Sequence, residues 1–297
     1  MASDPFHTDL DAKTLETPVP VADFSRQYAQ IREEILAAIE QVCDSQQYIL
    51  GEAVRQFESA AASASGAAHG VGCASGTDAL WLAMAVAQIG PGDAVLTSPF
   101  SFFATVSSIL RAGAEPRLAD IDPQTYNLDP AAAARALEDQ SGAKIRAVLP
   151  VHLYGQCADW DAFATLKSRS GVLLIEDAAQ AFGAKWKETA VGSLGDLAAF
   201  SFYPTKNLSA YGDAGLLTTG DEHFAERARM LRSHGMRQRY FHDEVGWNSR
   251  LDTLQAAVLL VKLKHIDRWN RQRRERAKIY GGLFQRSGLA ESAIYPS

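Results

Sequence analysis

Apolar and polar positions change period repeatedly along this chain, and the predicted elements change with them. Short runs that are apolar at almost every position predict strands, whereas apolar residues three or four apart predict helices. The predicted strands cover residues 94–97, 116–121, 145–151, 172–176, 197–202 and 215–218. The predicted helices cover residues 25–42, 77–87, 102–111, 130–137, 160–168, 222–233 and 254–283. This alternation predicts an α/β fold with a mostly parallel central sheet and helices on both faces.

Polar residues follow two of the predicted strands. Asp177 comes directly after the strand at 172–176, and His152 and Tyr154 follow the strand at 145–151. Ligands of such sheets bind beyond the carboxyl ends of the strands. We therefore expect the functional site at this edge of the sheet.

The composition fits a soluble globular enzyme. The chain has 297 residues, of which 47% are hydrophobic and 22% charged, enough for a sizeable core in one large domain or two smaller ones. A net charge of −6 argues against nucleic acid as the main partner, and the basic run at 271–278 is interpreted as a solvated helix face. Cys43, Cys73 and Cys157 form no CxxC pair, so neither a metal site nor a disulfide framework is predicted.

The sequence shows no targeting or membrane-spanning segment. The N-terminal residues are polar and acidic and lack the basic-then-apolar pattern of a signal peptide. The longest apolar stretch, around residues 79–89, is too short to span a bilayer. We therefore expect a cytoplasmic protein without membrane contact.

A lysine and an aspartate indicate the chemistry. Lys206 lies in the run Ser-Phe-Tyr-Pro-Thr-Lys-Asn at 201–207, and Asp177 ends an apolar strand. Pyridoxal phosphate (PLP) requires such a pair, because the lysine amine binds the cofactor aldehyde and the aspartate keeps the pyridine nitrogen protonated. Taken alone, Asp177 could instead cap a helix, and Lys206 could be a surface lysine.

A phosphate site is predicted where a glycine-containing turn opens a helix. Gly76 and Thr77 lie at this point, and free N–H groups at a helix start attract phosphate. An ordinary helix capped by Thr77 is the alternative. The hydroxyl of Ser201 could take a further phosphate oxygen. The glycines from Gly70 onwards resemble a dinucleotide fingerprint, but the third is one residue late and no apolar strand precedes Gly70, which excludes an NAD site.

Further residues could contact the cofactor or the substrate. A phenylalanine of the run 100–103 could stack on a flat ring, although core packing is equally compatible. Gln180 follows two small residues after Asp177 and offers a hydrogen bond beside a planar ligand. Asn248 and Arg250 are two residues apart, so on an extended segment they would point the same way, towards a phosphate or an anionic substrate group. A loop with a salt bridge is the alternative.

Together these segments resemble the DegT/DnrJ/EryC1/StrS family, the PLP-dependent sugar aminotransferases of aspartate aminotransferase-like fold, which is PLP fold type I. The matching segments follow the family order across nearly the whole chain. They are residues 47–51, 75–80, 151–156, 175–180, 200–207, 211–213 and 248–252.

The resemblance implies a role for each matching residue. Cofactor contacts are implied for Gly76, Thr77, Phe102, Asp177, Gln180, Ser201, Lys206 and Asn248. Lys206 would bind the cofactor covalently and Asp177 would hold the pyridine nitrogen. Asn248 would reach the phosphate of the neighbouring subunit's cofactor, which implies a homodimer with shared active sites. Arg250 and Tyr154 would contact the substrate.

The reaction implied by the resemblance is a two-stage transamination. Glutamate passes its amino group to the cofactor, and the amine then moves to a keto group of a nucleotide-linked sugar. We expect a 3-keto sugar, used for cell-surface polysaccharide or deoxysugar biosynthesis, and leave the nucleotide open, since similar members include those acting on UDP- and dTDP-linked sugars. Some relatives carry histidine in place of the lysine and are dehydratases, so Lys206 favours aminotransfer.

The resemblance also predicts how the chain is divided. We expect a flexible leader at 1–20, a large PLP-binding domain at 21–245 and the start of a smaller C-terminal domain at 246–297. Relatives continue further, so we expect a truncated domain with an exposed apolar helix face at Leu260, Leu263 and Ile266. A truncated, non-catalytic homologue that binds PLP or a partner subunit without turnover is the alternative to an active enzyme.

Overall fold

The computed structural model describes residue 20 and residues 22–139 and 141–288. The predicted leader at 1–20 therefore lies outside the described residues, apart from its last position. The helices are α1 (Ser25–Ser45), α2 (Glu52–Ala64), α3 (Gly76–Val86), α4 (Phe103–Arg111), α5 (Pro130–Glu138), α6 (Trp160–Ser170), α7 (Glu222–Leu231), α8 (Thr253–Leu263) and α9 (Ile266–Arg286). None of these is long and apolar enough to cross a membrane.

The strands form one central sheet and two small hairpins. They are β1 (His69–Cys73), β2 (Asp93–Thr97), β3 (Glu115–Leu118), β4 (Lys144–Val148), β5 (Leu173–Asp177), β6 (Lys185–Trp186), β7 (Thr189–Ala190), β8 (Leu197–Ser201), β9 (Gly215–Thr219), β10 (Met236–Gln238) and β11 (Phe241–His242). The seven-stranded sheet has the order β1-β9-β8-β5-β4-β2-β3. Only β9 runs antiparallel to its neighbours in this sheet. The predicted mostly parallel sheet is confirmed.

The side chains of β8 show why both faces of the sheet are apolar. Leu197 and Ala199 belong to a core cluster shared with α3 and α7. Ala198 and Phe200 belong to a second cluster shared with α1, α2 and α8. Successive residues of a strand point to opposite faces, so a strand covered on both sides must be apolar throughout.

The sequence prediction missed the helix α2 and the strands β1, β6, β7, β10 and β11, and glycine explains why β1 was missed. The strand β1 reads His-Gly-Val-Gly-Cys, and glycine disfavours strands. A Cβ atom at Gly70 would lie 2.6 Å from the carbonyl oxygen of Glu58 in α2. Glycine therefore lets α2 contact β1 directly, and Gly70 lies within this strand rather than after it.

The predicted helix at 254–283 is in fact two helices. The first, α8, ends at Leu263 and the second, α9, begins at Ile266. The prediction that Leu260, Leu263 and Ile266 form an exposed apolar face is also wrong. Ile266 is buried, and Leu260 and Leu263 pack against the second core cluster. The break in the helix turns these residues onto α1 and α2. The domain boundary at residue 246 stays a prediction.

Candidate active site

Most of the predicted site residues line one cavity of about 550 Å³. It lies at the carboxyl ends of β5 and β8, where α3 and α4 begin. The predicted residues in its wall are Gly76, Thr77, Phe102, Asp177, Gln180, Ser201 and Lys206. The sheet edge expected from the sequence is therefore the place where these residues meet.

Asp177, the last residue of β5, is an almost fully buried acid with a 4% exposed surface. Its Oδ2 accepts a hydrogen bond from the hydroxyl of Thr105 at 2.7 Å, and its Oδ1 accepts one from the N–H of Ala179 at 3.2 Å. Burial raises the pKa of Asp177, while the bond from Thr105 and the charge of Lys206 act in the opposite direction. A cationic N–H beside this carboxylate would offset the cost of burying it.

Lys206 lies in a tight turn after β8. Its backbone N–H donates to the carbonyl oxygen of Tyr203 at 2.8 Å. Burial lowers the pKa of the Lys206 amine, and the nearby charge of Asp177 raises it. A lower pKa provides more of the neutral amine, which is the form that attacks an aldehyde.

The turn at the start of α3 is built to receive an anion. Ser75 caps the helix, since its Oγ accepts the N–H of Asp78 at 3.1 Å, so the alternative of Thr77 as the cap is wrong. The N–H groups of Gly76 and Thr77 lie in the first helical turn, where no intrahelical acceptor exists. A Cβ atom at Gly76 would lie 2.5 Å from the Cβ of Ser201, so only glycine lets α3 begin against β8.

The cavity has residues that suit both the pyridine ring and the phosphate group of PLP. The buried Asp177 suits the pyridine nitrogen, and the N–H groups of Gly76 and Thr77 suit the phosphate. Phe102 is 72% exposed at the N-cap of α4 and lines the cavity, so its ring is free to cover a flat ligand. Its stacking role stays a prediction.

The remaining predicted residues lie outside the cavity. Tyr154 is exposed, and its backbone N–H, rather than its phenol, donates to Oε1 of Gln180 at 2.7 Å. Arg250 donates from Nε to Oδ1 of Asn248 at 3.0 Å. The roles given to Tyr154, Asn248 and Arg250 stay predictions.

His152 is a structural residue behind the site. It is fully buried, and its Nδ1 accepts the N–H of Ala158 at 3.1 Å. The proton of the ring therefore lies on Nε2, which is 3.1 Å from Oε2 of Glu176. His152 follows its strand at the expected edge of the sheet, but it does not line the cavity.

Thr105 is the functional residue that sequence reasoning missed. Ser101 and Thr105 are four residues apart at the start of α4, and their hydroxyl oxygens lie 2.7 Å apart. A hydroxyl in the first turn of a helix that begins at the ligand edge was the available signal. This signal does not indicate which acid the hydroxyl contacts, because Asp177 is distant in the chain.

Comparison with known proteins identifies the family and the fold. Residues 29–294 match the model of the DegT/DnrJ/EryC1/StrS aminotransferase family. The chain belongs to this family. As a DegT/DnrJ/EryC1/StrS aminotransferase, it is a PLP-dependent enzyme, and the cavity around Asp177 and Lys206 has the features that this cofactor needs.

Individual relatives of this DegT/DnrJ/EryC1/StrS aminotransferase support the assignment. The chain is 49% identical to the "Pleiotropic regulatory protein" of Geobacillus stearothermophilus, over 90% of this chain and 71% of that protein. It is 43% identical to the UDP-N-acetyl-3-dehydro-alpha-D-glucosamine 3-aminotransferase of Acidithiobacillus ferrooxidans, over the same shares of the two chains. It superimposes with a TM-score of 0.87 on S. venezuelae DesV, solved in complex with a ketimine intermediate, at 43% identity over 90% of this chain and 71% of DesV. The predicted fold type is confirmed.

Proposed function

We propose that the enzyme transfers the amino group of glutamate to the C3 keto group of a nucleotide-linked sugar, for cell-surface polysaccharide or deoxysugar biosynthesis. Glutamate leaves as 2-oxoglutarate, and the sugar ketone becomes an amine. The main support for this proposal is that Lys206 and Asp177 line one cavity, which also contains the anion-binding turn at Gly76. The relative from Acidithiobacillus ferrooxidans, named as a 3-aminotransferase of a UDP-linked sugar, supports the position on the ring.

Each residue of the cavity has a task in this proposal. The cofactor supplies a ring that accepts electrons from the substrate carbon. The Asp177 carboxylate accepts a hydrogen bond from the pyridine nitrogen and is oriented by Thr105. The N–H groups of Gly76 and Thr77 bind the phosphate. The Lys206 amine would carry the proton from the donor's carbon to the cofactor side of the transferred nitrogen, and in the opposite direction for the sugar, which suits a partly buried amine of lowered pKa.

A second subunit completes the proposed site. Asn248 and Arg250 lie outside the cavity of their own chain, as expected for residues that reach a neighbour's cofactor and substrate. Phe102 and Tyr203 expose their rings where the cavity opens, and a partner would cover them. In this proposal the cytoplasmic enzyme is a homodimer, with a large domain at 21–245 and a second domain that begins at 246.

A non-catalytic homologue is the competing function. Such a homologue would bind the cofactor in its cavity without catalysing a reaction. The cavity contains the lysine, the acid and the anion-binding turn together, and the relative from Acidithiobacillus ferrooxidans is named as an enzyme. Both observations favour an active aminotransferase.

An absorption experiment tests the proposal. Purified protein is mixed with PLP, and its spectrum is recorded before and after glutamate, beside Lys206→Ala. We expect a yellow protein that bleaches with glutamate and a variant that does neither. Addition of a UDP- or dTDP-linked 3-keto sugar should restore the colour and yield the amino sugar. A yellow protein that ignores glutamate would support the non-catalytic alternative.

A further inference from the structure

A second groove meets the cofactor cavity at Lys206. Its volume is about 590 Å³, and it is bordered by the start of α1, the turn that carries Lys206 and one face of α9. Lys206 lines both spaces. A molecule in this groove would therefore reach the reacting amine without displacing the cofactor.

Three arginines give this groove a strong positive charge. Arg26, Arg273 and Arg276 line it, and Asp23 is the acid among its lining residues. Asp23 lies 3.6 Å from Arg26. Within the described part of the chain, neither Arg273 nor Arg276 forms a salt bridge, and Arg273 has a hydrogen bond of 3.4 Å to Oδ1 of Asn270. We name this space the arginine groove.

Arg273 loses hydration without gaining a counterion. Although the residue is exposed, neighbouring atoms desolvate its guanidinium, and this burial lowers the pKa of Arg273. Asn270 is buried, donates to the carbonyl oxygen of Phe182 at 3.4 Å and accepts from Nδ2 of Asn207 at 3.2 Å. The start of α9 is thus tied to Asn207, the residue that follows Lys206, and Arg273 bonds to the same asparagine of α9.

We propose that the arginine groove holds the diphosphate of the nucleotide-linked sugar, with Arg273 and Arg276 as its phosphate ligands. This inference rests on the function proposed above. Arginine binds phosphate through paired N–H donors, and a diphosphate supplies the counterion that these guanidinium groups lack. The run at 271–278 is then a substrate surface as well as a solvated helix face.

The residues of the groove suit the groups that such a substrate carries. The keto carbon must reach Lys206, and the diphosphate is attached to the same sugar ring. Arg273 and Arg276 line the same groove as Lys206, so one bound molecule could contact all three. The exposed rings of Phe24 and Tyr280 also line it and offer faces on which a base can stack.

Calorimetric titration of the holoenzyme tests the inference. The probes are UDP, dTDP and inorganic pyrophosphate, and the proteins are wild type, Arg273→Gln, Arg276→Gln and Arg268→Gln. Arg268 is an exposed arginine of the same helix that does not line the groove. We expect Arg273→Gln to weaken the binding of UDP and dTDP by about 10-fold or more, the loss typical of a charge-assisted hydrogen bond. Arg268→Gln should bind both nucleotides like wild type.

Three results would overturn the inference. They are no nucleotide binding by wild type, equal binding by wild type and Arg273→Gln, or an equal loss in Arg268→Gln. The carboxylates of glutamate are another possible source of the anion. Bleaching by glutamate is therefore titrated in parallel, and a loss of glutamate affinity without a loss of nucleotide affinity assigns the arginine to the donor instead. If wild type is not bleached at all, the proposed function fails, whereas bleaching with nucleotide binding independent of Arg273 defeats only this inference.

Discussion

Thr105 donates its hydroxyl hydrogen to Oδ2 of Asp177 over 2.7 Å, although 72 residues separate the two along the chain. The bond connects the first turn of α4 to the end of β5, two elements that meet only in the folded sheet. Burial raises the pKa of Asp177, and Thr105 counteracts that rise. The threonine therefore helps to keep the acid ionised and to fix its orientation towards the cofactor.

Replacing Thr105 by valine should impair the enzyme while preserving its shape. The variant loses a hydrogen bond to a charged group, which is worth about 1.5–3 kcal/mol, so we expect a loss of activity of roughly 10- to 100-fold. Without this donor the protonated form of Asp177 becomes more favourable and its pKa rises further. The acid limb of the pH–rate profile should therefore move to higher pH, measured with glutamate as the donor.

Thr105→Ser is the matched control for this prediction. Serine keeps the hydroxyl and removes a methyl group, so its pH profile should stay close to that of wild type. If Thr105→Val and Thr105→Ser shift the profile equally, packing rather than the hydrogen bond determines the effect, and the assigned role of Thr105 is wrong.

Gly76→Ala should weaken cofactor binding. The added Cβ would lie 2.5 Å from the Cβ of Ser201, so α3 must move away from β8, at a cost of about 1–3 kcal/mol. The same movement displaces the N–H groups that bind phosphate. Titration with PLP should give a dissociation constant roughly 10-fold higher, on the same principle. Gly220→Ala is the control, because a Cβ there meets nothing within 4 Å, and equal affinity for all three proteins would contradict the prediction.

Glu176→Gln should lower the stability of the fold. The buried carboxylate accepts three backbone N–H groups from residues 192–195 and pairs with His152. In glutamine an NH₂ group replaces one carboxylate oxygen, and this donor would then face backbone N–H donors that it cannot bond to. Breaking such a buried arrangement costs about 3–5 kcal/mol, which urea unfolding would detect.

An exposed acid of the neighbouring hairpin serves as the control for Glu176. Glu188→Gln should change the free energy of unfolding by less than about 0.5 kcal/mol. A similar urea midpoint for wild type and Glu176→Gln would mean that Glu176 is not needed to hold the segment 192–195.

The site residues that could be predicted from the sequence are those whose immediate neighbours in the chain indicate their role. Asp177 ends an apolar strand, Gly76 opens a helix, and Lys206 follows a strand, so each has a signal within a few residues. Thr105 has only a weak local signal, its hydroxyl in the first turn of α4, because the acid that it contacts lies 72 residues away. The arginine groove was not predicted from the sequence either, because α9 and the turn that carries Lys206 come together only through tertiary packing.

The errors in the predicted elements have a common physical source. No strand was predicted around Gly70, but its missing side chain makes room for the carbonyl of Glu58 in α2 and lets β1 form there. A single helix was predicted at 254–283, yet the chain bends after Leu263 to cover the core. In both places, contact between distant segments outweighs the local pattern.

Lys262 offers a test of how a buried charge affects stability. It is 2% exposed, its Nζ donates to Oγ of Ser209 at 3.0 Å, and it lies 4.2 Å from the centre of the Tyr211 ring. Burial lowers the pKa of Lys262 to about 8. In the unfolded chain a lysine has a pKa of about 10.4, so between these values the unfolded state binds the proton that the folded state has lost. The contribution of Lys262 to the free energy of unfolding therefore rises with pH across this range.

Lys262→Met should remove this pH dependence, because methionine of similar length carries no charge to bury. The variant should gain most relative to wild type at pH 7. The difference in free energy of unfolding should then fall by roughly 1 kcal/mol per pH unit between about pH 8 and 10. Urea unfolding of both proteins at several pH values measures the difference directly. Lys264→Met, at an exposed lysine two residues on, should show no such slope, and a pH-independent difference for Lys262→Met would mean that Lys262 stays charged in the folded protein.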